Sequence, residues 1–271
     1  MWAGFYLHFI MNNLWTQLNN ISPYGLCGVI GFLCGIIYLA IVSKWKKKSF
    51  EDMIYIYVWA IIGAVIGAKI MYLIVDFPEI IKVLAQNRVD MKQYILSNLS
   101  GGFVFYGGLI GAVISVKMSS RYFGVDENDA FFLLVPLMPF VHAFGRIGCL
   151  LVGCCYGIET ALPFGIVYSG SEFAPNGVKL LPVQAIEAGI DLMIFGFLVY
   201  IIIRDNRKSN TLNIYLCLYA GMRFVLEYFR GDQIRGSFGC FSTSQWISLI
   251  ILMVVLIGFI KKKIDKTGTV L

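Results

Sequence analysis

An all-α, polytopic membrane bundle is the fold class predicted by three features of this chain. Of its 271 residues, 58% are apolar and 14% are charged, whereas a soluble domain carries about 25% charged residues. The apolar residues gather in seven segments, each near the roughly 20 residues that a helix needs to cross hydrocarbon. Lys and Arg collect at alternate ends of those segments, as they do where short loops face the cytoplasm. Backbone groups in lipid must be bonded within their own segment, so each segment is expected to be helical.

Residues Met1 to Leu18 lack a basic start and a small-residue cleavage site, so they do not read as a signal peptide, and 1–20 reads as an interfacial segment. Trp2, Phe5, Tyr6, Phe9, Ile10 and Leu14 suit a segment lying on the membrane surface. The first span, 22–43, is followed by Lys44, Lys46, Lys47 and Lys48. The second, 54–76, holds Gly63 and Gly67, a pair of small residues four apart that lets helices approach closely. The third, 102–119, has Gly101-Gly102 and Gly107-Gly108 around Phe103 to Tyr106, and ends beside Lys117 and Arg121. These glycines serve helix contact, approach of backbone to a ligand, or both. The fourth span is 129–152. The fifth, 182–203, precedes Arg204, Arg207 and Lys208. The sixth is 211–229, and the seventh, 243–260, precedes Lys261, Lys262, Lys263 and Lys266. The positive ends place the N-terminus outside and the C-terminus in the cytoplasm. Two long outer loops, 77–101 and 153–181, complete a single membrane domain over residues 1–271. The net charge of +6 sits beside apolar segments, where it sets orientation and meets anionic head groups, and calls for no nucleic acid.

Two arginines stand inside apolar segments. A guanidinium at membrane depth costs roughly 2.5–3.5 kcal/mol on insertion scales, so it needs a polar or anionic partner. Arg146 shares a helix face with His142 and Cys149, at positions i, i+4 and i+7. Its planar fork suits a bidentate grip on phosphate. The competing reading pairs it with a carboxylate in the bundle, Glu187 or Glu227. Arg223, Glu227 and Arg230 repeat the spacing in the sixth span, beside Asp232. An i, i+4 Arg–Glu pair can be purely local. His142 is either a general base near neutral pH or a hydrogen-bonded packing residue. The run Gly153-Cys154-Cys155-Tyr156-Gly157 departs from zinc-site spacing, in which paired cysteines stand two to four residues apart. No metal is expected there; a disulfide, thiol chemistry and packing remain as roles.

Five motifs in order resemble the signature of the prolipoprotein diacylglyceryl transferases. They are Ser22-Pro23-Tyr24-Gly25-Leu26; Gly101-Gly102 with Tyr106-Gly107-Gly108-Leu109-Ile110-Gly111; Gly145-Arg146-Ile147-Gly148 with Gly153 and Gly157; Pro182-Val183-Gln184-Ala185-Ile186-Glu187-Ala188; and Arg223-Phe224 to Glu227-Tyr228-Phe229-Arg230. The resemblance implies transfer of the diacylglyceryl group of phosphatidylglycerol to the lipobox cysteine of a prolipoprotein, at its signal-peptide region. A thioether forms and glycerol 1-phosphate leaves, with no cofactor and no metal. It implies a multi-pass protein of the bacterial plasma membrane, with the active site toward the outer leaflet. Arg146 and Arg223 take the family's two essential arginine positions. Tyr24, Gly107, Gly108, Gly145, Gly157, Gln184, Glu187, Glu227 and Arg230 fall on substrate-binding or supporting positions. Tyr106 stands where the family has a histidine that is a proposed base, Cys149 where it has an asparagine, and Cys154 where it has an acidic residue. His142, on the face of Arg146, is the expected replacement base. Transfer to another acceptor or from another lipid, and non-enzymatic binding or transport of an anionic lipid, are the alternative functions.

Overall fold

The protein is described by a computed structural model over residues 23–85, 103–204, 210–232 and 237–268. The surface segment expected over 1–20 lies outside the described residues, as do Gly101 and Gly102. The described chain is mostly helical. Helices α1 (Pro23–Trp45), α2 (Phe50–Ala85), α3 (Phe105–Tyr122), α4 (Glu127–Leu134) and α5 (Leu137–Val152) come first. Strands β1 (Ile166–Val167) and β2 (Lys179–Leu180) follow, then α6 (Val183–Arg204), α7 (Thr211–Leu226) and a 3-10 turn, Glu227–Phe229. Strands β3 (Ser237–Phe238) and β4 (Phe241–Ser242) precede α8 (Thr243–Gly268).

Among the described residues, five stretches are long and apolar enough to cross a membrane: Pro23–Trp45, Phe50–Phe77, Glu127–Val152, Val183–Arg204 and Thr243–Lys261. Val29, Leu33, Ile37 and Ile41 are each more than half exposed on α1, one turn apart, as suits a lipid-facing stripe. The other two expected spans form helices that are not among those five. α3 carries Lys117, Ser119, Ser120 and Arg121 in its last turns, and α7 has only 16 residues. The boundary expected at residue 77 is also revised. α2 runs on to Ala85, past the apolar stretch, with Glu79 and Lys82 in its extension. The loop expected over 153–181 contains a small antiparallel pair, Ile166 opposite Leu180 and Val167 opposite Lys179. A second hairpin, β3–β4, adds two more short strands to the all-α expectation.

The helices group into two compact units, Leu39–Leu134 and the remainder of the chain. In the first, α2 and α3 pack antiparallel through their small residues. A Cβ at Gly67 would strike the carbonyl of Gly107, one at Gly111 would strike that of Gly63, and one at Gly107 would strike that of Gly67. Gly108 faces Ala64 and Ala68. Of the two roles open to Gly107 and Gly108, the structure displays helix contact. Replacing Gly111 by leucine is expected to cost about 1–3 kcal/mol through overpacking. A lowered thermal midpoint of the detergent-purified protein would register it, against a midpoint held or raised for Gly196→Ala, which favours helix α6 and whose added methyl meets nothing within 4 Å among the described residues. Tyr106 is buried on α3 in this unit, edge-on to Phe105.

In the second unit α5 packs on α6, α6 on α7, and α7 on α8. Phe140 touches both Phe144 and Phe195, and Phe195 meets Tyr38 edge-on. Gly31 admits the Phe144 ring and Gly148 admits Tyr24, so α1 lies close against α5 at both points. This packing turns one face of α5 and one of α6 toward each other, and both faces carry ionisable groups.

Candidate active site

α5 delivers His142 and Arg146 from one face, as their four-residue spacing predicts. α6 answers with Gln184, Glu187 and Asp191, all buried and spaced three and four residues apart. Arg146 Nη2 lies 3.1 Å from Glu187 Oε1. His142 Nδ1 lies 2.8 Å from Asp191 Oδ2. The two pairs therefore stack one turn apart along the α5–α6 seam. Asp191 escaped the sequence reading, which counted only Glu187 and Glu227 as intramembrane carboxylates. The signal was present, because an acid inside an apolar segment marks a functional position by default.

α7 supplies the second arginine. Arg223, 2% exposed, places Nη2 2.6 Å from Glu227 Oε2 and donates to Ser244 Oγ at 3.4 Å. The sequence expectation of one helical stripe from Arg223 to Arg230 is corrected here. The α-helix ends at Leu226, Glu227–Phe229 tighten into a 3-10 turn, and Arg230 is extended. Backbone pairing, not helical periodicity, places Arg230. Ile158 N–H donates to Phe229 O at 3.0 Å and Gly231 N–H to Tyr156 O at 3.0 Å, which sets Arg230 opposite Gly157. Arg230 then grips Asp232 with both prongs of its fork, at 2.8 and 2.6 Å. Burial opposes the Arg230 charge, yet its hydrogen bonds to Asp232 hold the guanidinium above its ordinary pKa.

Glu187 is the hub of this arrangement. It stands in the electrostatic field of Arg146, His142, Arg223 and Arg230 together. Each arginine is thus paired with a carboxylate, as the competing sequence reading allowed for Arg146 and Arg223. Each also retains an unused donor. Arg146 Nε, Arg223 Nη1 and Arg230 Nη1 are buried without a hydrogen-bond partner among the described residues. A buried donor left unsatisfied costs about 1–3 kcal/mol, which an acceptor ligand would recover.

The remaining sequence candidates divide. A Cβ at Gly145, next to Arg146, would meet nothing within 4 Å among the described residues. Tyr24 sits within the field of Arg146 and against Gly148. Gln184 Nε2 donates to Cys154 O at 2.7 Å and so fixes the turn after α5. Gly157 is required by close backbone approach, since a Cβ there would strike Leu181 O. Tyr106, Gly107 and Gly108 belong to the unit built on α2 and α3.

A profile of the family described as prolipoprotein diacylglyceryl transferase matches residues 13–261. The chain belongs to that family. A Clostridium tetani phosphatidylglycerol–prolipoprotein diacylglyceryl transferase is 34% identical over 91% of this chain and 94% of its own length. A Clostridium perfringens protein named phosphatidylglycerol–prolipoprotein diacylglyceryl transferase 2 is 31% identical, over 86% and 88%. A Finegoldia magna relative with the first of these names is 28% identical, over 90% and 92%. This chain carries Cys149, Cys154 and Cys155 at and just after the end of α5, and its His142 lies against Asp191.

Proposed function

We propose that the protein transfers the diacylglyceryl group of phosphatidylglycerol to the cysteine thiol of a prolipoprotein, at its signal-peptide region. The observation that carries the reading is the set of three buried arginines around Glu187, each with a guanidinium donor in reserve. The carboxylates orient the forks, and the spare N–H groups donate to the phosphate oxygens. The acceptor thiol loses its proton to His142, whose imidazole is oriented by Asp191. The thiolate attacks the diacylglyceryl carbon that bears the phosphate ester. The carbon–sulfur bond forms as the carbon–oxygen bond breaks, and glycerol 1-phosphate leaves with the bonding pair. Charge grows on the departing phosphate, and donors already in place stabilise it without reorganisation. Holding both membrane-bound substrates in one site supplies much of the remaining acceleration. The reaction as written needs no cofactor and no metal.

The same reading places the protein in the bacterial plasma membrane, with α3 and α7 crossing alongside the five longer spans. The N-terminus is outside, the C-terminus is cytoplasmic, and the arginines open toward the outer leaflet. The five membrane-length helices and the alternating basic ends support it.

The test supplies purified protein with phosphatidylglycerol vesicles and a lipobox peptide, and follows thioether formation by mass spectrometry. Modified peptide and free glycerol 1-phosphate are expected. His142→Ala and Asp191→Asn are each expected to slow transfer about a hundredfold or more, as for loss of a positioned base. Wild-type rates in both variants would remove the base assignment. Absence of transfer by the well-folded parent protein would remove the reading itself.

A further inference from the structure

Cys149, Cys154 and Cys155 bring three thiol sulfurs within 4.8 Å of one another. Cys149 is buried in the last turn of α5, and Cys154 and Cys155 are half-buried in the turn that follows. We propose that these three cysteines form a binding site for a soft, thiophilic metal ion, held through three sulfurs. The inference does not depend on the transferase reading.

The spacing along the chain departs from the paired-cysteine motifs of zinc sites. Geometry in space gives a different answer. A metal–sulfur bond of about 2.3 Å sets three ligand sulfurs roughly 4 Å apart. The thiols already stand near that separation. The turn that gathers them is held at several points. Gly153 adopts φ 83° and its N–H closes α5 on Cys149 O at 2.9 Å. Gln184 fixes the Cys154 carbonyl. Cys155 itself adopts φ 59°, a left-handed conformation that costs a non-glycine residue roughly 1–2 kcal/mol. A glycine would relieve that strain but would remove the third sulfur.

The surroundings select the class of ion. Hard cations such as magnesium and calcium take oxygen ligands, whereas thiolates select zinc, cadmium and copper(I). Arg146 and Arg230 both act on the Cys155 sulfur. Their positive field repels a bare cation but favours the complex, because three thiolates around a divalent ion carry one net negative charge. On binding, three S–H protons leave to solvent as three metal–sulfur bonds form, and nothing is oxidised or reduced. A divalent ion then has a fourth position open to water or another ligand. Occupancy would set a negative complex beside two of the arginines assigned to phosphate.

The test titrates the full-length, detergent-purified, reduced protein with cadmium chloride under inert gas and reads sulfur-to-cadmium charge-transfer absorption. A band saturating at one ion per chain is expected, displaced by zinc and by copper(I) in competition arms. It should persist when Cys27, Cys34, Cys217 and Cys240 are all replaced by serine, and vanish in Cys155→Ser. Absence of a saturable band in folded protein, or a band that survives joint replacement of Cys149, Cys154 and Cys155, would overturn the proposal. So would a disulfide between two of the three, trapped by acid quench of native membranes.

Discussion

Arg146→Lys is expected to lose transfer by on the order of a hundredfold, the loss found when one donor to a developing oxyanion is removed, while the protein keeps its fold. A guanidinium is a planar fork, whereas an ammonium is a point charge. An ammonium at position 146 can still sit against Glu187, which holds Arg146 at 3.1 Å, so the buried carboxylate keeps a cation. What disappears is the second edge of the guanidinium, including the buried Nε that has no protein partner among the described residues. Lysine cannot present two parallel donors to a phosphate. The measurement compares transfer to a lipobox peptide with the thermal midpoint of the same preparation. Lost transfer with a retained midpoint fits phosphate binding. Full activity in Arg146→Lys would mean that charge alone is needed and that the bidentate assignment is wrong.

What the sequence made legible follows from periodicity. Five of the seven apolar segments correspond to membrane-length stretches of helix. His142 and Arg146 share a face because four residues make about one helical turn. The competing reading, in which Glu187 or Glu227 meets a buried arginine, is visible in the structure, with Glu187 against Arg146 and Glu227 against Arg223. The failures share a cause as well. Arg230 looked like the third member of a helical stripe, but the helix stops at Leu226, and pairing between distant backbone segments decides where Arg230 goes. The cysteines stand within seven residues, yet whether their sulfurs converge depends on the left-handed backbone at Gly153 and Cys155, which spacing does not encode. Asp191 was legible and passed over. It lies four residues from Glu187 in an apolar helix and needs a partner for the same electrostatic reason. Gly107 and Gly108 carried two compatible roles in the sequence, and only interhelical packing reveals the contact with α2.

Removal of Glu187 should produce the largest loss of stability at this site. Truncating one partner of a buried ion pair typically costs about 3–5 kcal/mol, because the other charge is left uncompensated. Glu187 is fully buried and sits in the field of His142, Arg146, Arg223 and Arg230. Glu187→Ala leaves Arg146 buried without its carboxylate, while Arg223 keeps Glu227 and Arg230 keeps Asp232, so its cost belongs in that range. A marked fall in thermal midpoint or in yield of folded protein checks this. The control is the pair Arg146→Met with Glu187→Leu, which removes both charges and keeps apolar volume. Replacing a buried ion pair in this way is often neutral or stabilising. The double variant should therefore regain most of the lost stability yet remain inactive in transfer. Recovered folding with absent chemistry would separate the two roles of the pair. The carboxylate would be there to make a buried arginine tolerable, and the arginine would be there for a ligand. Recovery of both would mean that the pair is structural, and that Arg223 and Arg230 hold the phosphate without it.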